Sequence, residues 1–184
     1  TAALFDITKS NVLTSDPLNA GCAAAAGEVR SRGLELDLAG RLSANWRLNA
    51  SLVFNDVEIT RDNTLEVGGR LLNVPKVNGS VLAVYEDALA NGQRWGLGGG
   101  VTYMGKRLGQ ARTQAEANAG TAAFDLPSYT TAKLLAYWRL SPTINLTLDV
   151  DNLFDKVHYT SSYSRVWVTP GALRTVTVGL QAKF

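Results

Sequence analysis

The side chains able to do covalent or metal chemistry are few and scattered in this 184-residue chain. His158 is the only histidine, so a nucleophile–base pair would have to be built around it. It stands at the top of a strand-like segment among loop residues, where a rim histidine needs no catalytic role. Asp149, Asp151 and Asp155 look superficially like a set of hard-cation ligands. At spacing two, however, Asp149 and Asp151 share one strand face, and a wet face tolerates carboxylates without calcium. Gly96 to Gly105 with Lys106 offers glycines and a lysine, but no Ser or Thr follows the lysine and no helix is expected after it, so a phosphate loop is not supported. The glycines suit strand bending or the close approach of another segment. Cys22 is the single cysteine; it reads as unpaired, or as bridging to a cysteine outside this sequence. Lys and Arg form no block and the net charge is +2, so nucleic acid is not an expected partner. No catalytic constellation, metal set or cofactor site is expected.

The elements that must position these residues are strands. Val176, Val178, Leu180, Ala182 and Phe184 fall on one face of the last segment, and Thr175, Thr177, Gln181 and Lys183 on the other. Ile144, Leu146, Leu148 and Val150 alternate in the same way with Asn145, Thr147, Asp149 and Asp151. Leu34, Leu36 and Leu38 alternate with Glu35 and Asp37, and Trp46 to Phe54 repeats the pattern with Val53 as the exception. Ala132 to Trp138 does so with Leu135 as the exception, while Leu82 and Val84 break the pattern of the fourth segment. The periodicity predicts eight strands, at about 2–12, 28–42, 45–60, 76–87, 94–107, 127–140, 143–159 and 173–184.

Connections alternate in length. Those at 43–45, 87–93 and 141–142 are short and rich in turn-formers; those at 13–27, 61–75, 108–126 and 160–172 are long and polar. Trp46, Trp95, Trp138 and Phe184 lie at the level of the short turns, and Tyr159, Tyr163 and Trp167 toward the long loops. Loops sorted by end, with two aromatic bands around an apolar belt, predict an all-β fold: a transmembrane antiparallel up-and-down β-barrel segment. Hydrocarbon offers backbone groups no hydrogen-bond partner, so a spanning sheet must satisfy them between strands. Apolar faces then meet lipid and polar faces line a lumen. On that face Glu35, Asp37, Arg47, Lys133, Arg139, Asp149, Asp151 and Lys183 are expected to hydrate or form bridges. No apolar run approaches a transmembrane helix, which does not exclude a barrel.

Residues 151–159, Asp-Asn-Leu-Phe-Asp-Lys-Val-His-Tyr, resemble the penultimate strand of TonB-dependent outer-membrane receptors. Residues 5–12, 27–35, Leu72-Asn73-Val74-Pro75 and Trp167-Val168-Thr169-Pro170-Gly171-Ala172 are similar to their siderophore-receptor, ferrichrome-like branch. The resemblance covers essentially the whole chain. It implies that residues 1–184 are the C-terminal part of a barrel of about 22 strands whose plug domain and TonB box lie outside this sequence. The expected location is the outer membrane of a Gram-negative bacterium. The expected partners are TonB, the receptor's own plug, outer-membrane lipid and a ferric siderophore, the iron being cargo. An autonomous eight-stranded barrel is the structural alternative. A receptor for cobalamin, haem or an oligosaccharide, a passive porin and an outer-membrane enzyme are the functional ones.

In such receptors the extracellular loops and upper lumen supply part of the chelate site. The resemblance therefore makes Tyr163 and Trp167, in the last long loop, the first candidate ligand contacts, with Arg165 between them to meet an anionic chelate. The competing role for the aromatics is membrane girdle. Arg107 and Arg112, at the start of another long loop, are weaker candidates.

Overall fold

The structure, a computed structural model, describes residues 1–183. In chain order its elements are β1 (Ala2–Ser15), β2 (Ala23–Arg41), β3 (Trp46–Arg61), β4 (Val77–Ala88), β5 (Arg94–Met104), β6 (Arg107–Leu108), α1 (Gln114–Asn118), β7 (Asp125–Leu126), β8 (Tyr129–Arg139), β9 (Ile144–Asp151), β10 (Tyr159–Ser164), β11 (Trp167–Pro170) and β12 (Thr175–Ala182). Eight of the strands form one sheet in the order β1-β2-β3-β4-β5-β8-β9-β12. Each is antiparallel to its neighbour. Among the described residues β1 and β12 are free edges, so the sheet is open and does not close on itself as an eight-stranded barrel would.

The register carries the sequence pattern across the sheet. Leu38, Ala50, Val81, Val101 and Ala132 stand in one row, and Ala136, Leu148 and Val178 in another. Val81 and Val101 lie mid-sheet and are still 44% and 46% exposed. Among the described residues nothing covers this face, so its apolar surface is not a folded core. The belt has two borders. Toward the short turns Trp95 sits directly opposite Trp138, and Tyr85 packs at 5.4 Å from Trp46 and 5.6 Å from Trp95. Toward the long loops the row Leu4, Leu34, Phe54 is followed by Asp6, Arg32, Asp56 on the same face. These charges are paired: Arg30 with Asp6 at 2.5 Å, and Lys76 with Asp56 at 3.1 Å. From Trp46 to Phe54 the strand runs about 27 Å, or about 21 Å once tilted by about 40°, close to the roughly 25 Å apolar band of such barrels.

The other face is wet. Ser51 and Ser80 bond through their hydroxyls at 3.1 Å, Lys133 pairs with Asp151 at 3.3 Å, and Glu86 accepts from Arg47 and Tyr137. The apolar exceptions on this face have a steric explanation. A Cβ at Gly98 would meet Val84 Cγ2 at 2.8 Å and Leu135 Cγ at 3.1 Å; one at Gly100 would meet Leu82 Cδ1 at 3.1 Å. Leu82, Val84 and Leu135 thus lie over the glycines of β5, which clears the room for them. The ring of Tyr137 does the same over Gly96.

The eight predicted strands are present, with corrected ends. The expected long loop 13–27 shrinks to 16–22, because β1 and β2 stay paired up to Ser15 and Ala23 and Asp16 caps the turn by accepting from Leu18 N at 2.8 Å. Cys22 is exposed in that turn. The expected strand 143–159 ends at Asp151: Asn152 and Asp155 take left-handed φ values of 49° and 53°. Asn152 is buried there, donates to the carbonyls of Lys156 and Ala172 at 3.0 Å each, and so ties the top of β9 to the segment leading into β12. The Asn-Leu-Phe-Asp-Lys stretch is therefore a turn, not strand. The expected strand 94–107 stops at Met104, and the loops after β5 and β9 hold hairpins of their own, β6/β7 and β10/β11. The 108–126 loop also contains a helix that period-two alternation does not predict. Thr113 and Glu116 form a reciprocal capping box at its start, a Thr-x-x-Glu signal present in the sequence. Phe184 lies outside the described residues.

Candidate ligand-binding mouth

At the end of the sheet opposite the tryptophan band, the connections 62–76, 105–128 and 152–174 pack into one polar lobe. It is assembled from single, named links. Asp62 accepts from Thr14 Oγ1, Thr64 N and Leu65 N, each at 2.8 Å. Burial alone would raise its carboxyl, but those hydrogen bonds outweigh it and hold it below the ordinary value. Arg112 grips Glu66 with two bonds of 2.8 and 2.5 Å, which lowers the Glu66 carboxyl and raises the Arg112 guanidinium. Asp125 receives Arg70 at 2.6 Å and Lys106 at 2.9 Å. Its burial favours the neutral acid, and the two cations overcome that and hold the carboxyl low.

Arg107 is 1% exposed and lies at the heart of the lobe. Its guanidinium is 5.5 Å from the Tyr129 ring centroid, and Nη2 donates to the carbonyls of Tyr159 and Thr160, the latter at 3.0 Å. Burial pushes its pKa below the ordinary arginine value, and Nη1 has no hydrogen-bond partner among the described residues. Arg107, weighed as a weaker ligand candidate at the start of a long loop, is thus buried within the lobe, in a strand, β6, that pairs with β7. Arg112 is likewise engaged by Glu66 and by the Thr121 carbonyl at 2.8 Å.

The three first candidates stand on the β10/β11 hairpin. Tyr163 and Trp167 are 76% and 70% exposed, with ring centroids 6.4 Å apart and planes near perpendicular. That leaves both rings largely exposed on the hairpin. Arg165 at the tip is committed in part: its N donates to Gln110 Oε1 at 3.0 Å and its Nη2 to the Ala122 carbonyl at 2.7 Å. The hairpin is also held by an asparagine to which the sequence motif assigns no role. Asn73 donates through Nδ2 to the Ser162 carbonyl at 2.8 Å, and its Oδ1 accepts from Ser162 N at 2.9 Å. The signal in the sequence was the Leu-Asn-Val-Pro stretch itself, since a proline shortly after an asparagine marks a turn.

The residues weighed for other chemistry are not brought together. His158 bonds the Lys156 carbonyl through Nδ1 at 2.9 Å and packs 4.4 Å from Tyr129. Asp151 pairs with Lys133, and Asp155 accepts from Arg174 N at 2.8 Å. Among the described residues no group of three or more His, Cys, Asp and Glu could hold a metal ion.

An open antiparallel sheet with one uncovered apolar belt, one wet face and a polar lobe at one end defines a section of a membrane-spanning β-barrel wall and its mouth. The chain belongs to the family described as "TonB dependent receptor-like, beta-barrel", whose profile matches residues 1–153. That family is one of outer-membrane receptors and transporters of Gram-negative bacteria. The chain is 40% identical over 186 residues to the metal-pseudopaline receptor CntO of Pseudomonas aeruginosa, and 31% identical over 190 residues to the ferrichrome outer membrane transporter/phage receptor of Escherichia coli. Both alignments cover 100% of this chain but only 25% and 24% of those proteins. The crystal structure of the siderophore receptor PiuA from Acinetobacter baumannii superposes on the whole chain with a TM-score of 0.80 at 25% identity, over 26% of its own length. The chain thus spans about a quarter of the proteins it resembles.

Proposed function

We propose that the receptor to which this chain belongs imports ferric siderophores across the outer membrane, and that these residues form part of its barrel wall and part of its outer mouth. The observation that carries this reading is the exposed Tyr163–Trp167 pair, held on a pinned hairpin above a wet, barrel-type wall. Flat, partly aromatic chelates stack on such rings, and Arg165 adds a cation at the hairpin tip. No bond is made or broken by these residues, and no resident cofactor is required; the metal enters as cargo. TonB would act through a plug domain outside this chain, and lumen groups such as Arg47, Glu86 and Arg139 would face that plug.

Deletion of the whole gene and measurement of radio-iron uptake from ferric chelates under iron limitation tests the reading. Loss of uptake for at least one ferric chelate is expected; unchanged uptake for all of them would end the assignment. A second reading is supported by the greater identity to a metal-pseudopaline receptor than to a ferrichrome transporter: the cargo is a chelate of another metal. Parallel uptake of labelled zinc and nickel, lost in the deletion strain while iron uptake persists, would favour it.

A further inference from the structure

The β10/β11 hairpin extends from the end of β9 as a two-stranded ribbon, and such a ribbon alone is marginally stable in water. β10 and the turn after it are nevertheless held at three successive levels by the neighbouring lobe. Arg107 takes the carbonyls of Tyr159 and Thr160 at the base, Asn73 takes Ser162 in the middle, and Gln110 takes Arg165 N at the tip. The middle contact is unusual in kind. The Asn73 amide offers Ser162 one donor and one acceptor, as an adjacent strand's backbone would. Its left-handed φ of 61° permits this, while its own N–H bonds Leu108 O at 2.9 Å and so rides on β6. Next to the clamped Ser162 comes Tyr163, whose ring is exposed and meets Trp167 edge to face.

We propose that Asn73, with Arg107, is a positioning residue for the Tyr163–Trp167 pair: a side chain from another loop stands in for a missing strand and fixes the hairpin on which the two rings meet. This rests on the ligand reading of that pair for its purpose, but not for its test. Asn73→Gly is the informative variant, because glycine tolerates the left-handed backbone while removing the side-chain amide. Two measurements on the full receptor in outer membranes follow it. One is the rate of tryptic cleavage at the Arg165–Val166 bond, where Val166 is 97% exposed. The other is the fluorine resonance of fluorotryptophan at position 167, assigned with Trp167→Phe. Loss of two hydrogen bonds is expected to raise the cleavage rate about tenfold and to shift and narrow the resonance. Arg107→Met is expected to act in the same direction and serves if the first variant does not assemble. If either readout is unchanged in an assembled variant, the proposal fails. Neither readout uses a ligand, so a receptor that imports no chelate would end the ligand reading while the hairpin would still loosen, or fail to loosen, in the variants.

Discussion

Gly98 and Gly99 are neighbours in β5 with opposite demands. A Cβ at Gly98 would sit 2.8 Å from Val84 Cγ2 and 2.9 Å from the Ala83 carbonyl, whereas one at Gly99 meets nothing nearer than 3.8 Å. Gly98→Ala is therefore expected to cost about 1–3 kcal/mol by overpacking, and Gly99→Ala to stay within about 0.5 kcal/mol. Denaturant unfolding of the two variants in detergent or vesicles checks this; equal midpoints would show that the wet face is not packed over its glycines. At the mouth, Trp167→Ala is expected to weaken chelate binding at least about tenfold, as for a buried aromatic anchor in an interface. Arg165→Ala should cost less affinity, because its Nη2 is already spent on the Ala122 carbonyl. Equilibrium binding by the purified receptor decides both.

Among the elements, the polar lobe is joined by carboxylates whose titration can be followed. Glu66 and Asp125 have folded-state values below their ordinary ones of 4.5 and 3.8. The stability their pairs contribute is thus fully present above those ordinary values and is lost as pH falls through the lowered ones. Hydrogen exchange of residues 65–73 and 121–126 should be insensitive to pH-induced opening between pH 7 and 5, once corrected for intrinsic rates. Protection should fall only below about pH 4. Loss already at pH 6 would mean that these ion pairs do not hold the lobe. The elements also differ in how far the sequence reveals them. Period-two alternation placed the eight long strands, because one uncovered apolar face and one wet face keep the pattern legible despite the breaks at Val53, Leu82, Val84 and Leu135. It could not place β6, β7, β10 and β11, which are two to six residues long and stabilised by loop-to-loop bonds rather than by a face. Nor could it find that Arg107 is buried, since that depends on Tyr129, Tyr159 and Thr160 meeting around it. Tyr163 and Trp167 were legible as exposed loop aromatics; the clamp of Asn73 on Ser162, 89 positions away, was not.

In the molecule as a whole, the belt between the tryptophan band and the charged rows must meet hydrocarbon if the sheet is a barrel wall. Leu148→Arg, in the row of Ala136 and Val178, is expected to destabilise the barrel by about 2–4 kcal/mol in membranes, and Thr147→Arg on the wet face by much less. The most direct measurement is spin-label accessibility in the full receptor reconstituted in lipid, with Cys22 replaced by serine and single cysteines introduced along 144–150 and 175–181. Labels at Leu146, Leu148, Val176, Val178 and Leu180 should collide with dissolved oxygen. Those at Asn145, Thr147, Thr177 and Gln181 should be shielded from it, with a strict period of two. Uniform accessibility, or an inverted pattern with Leu148 and Val178 shielded, would contradict a wall with one face in lipid and the other in water.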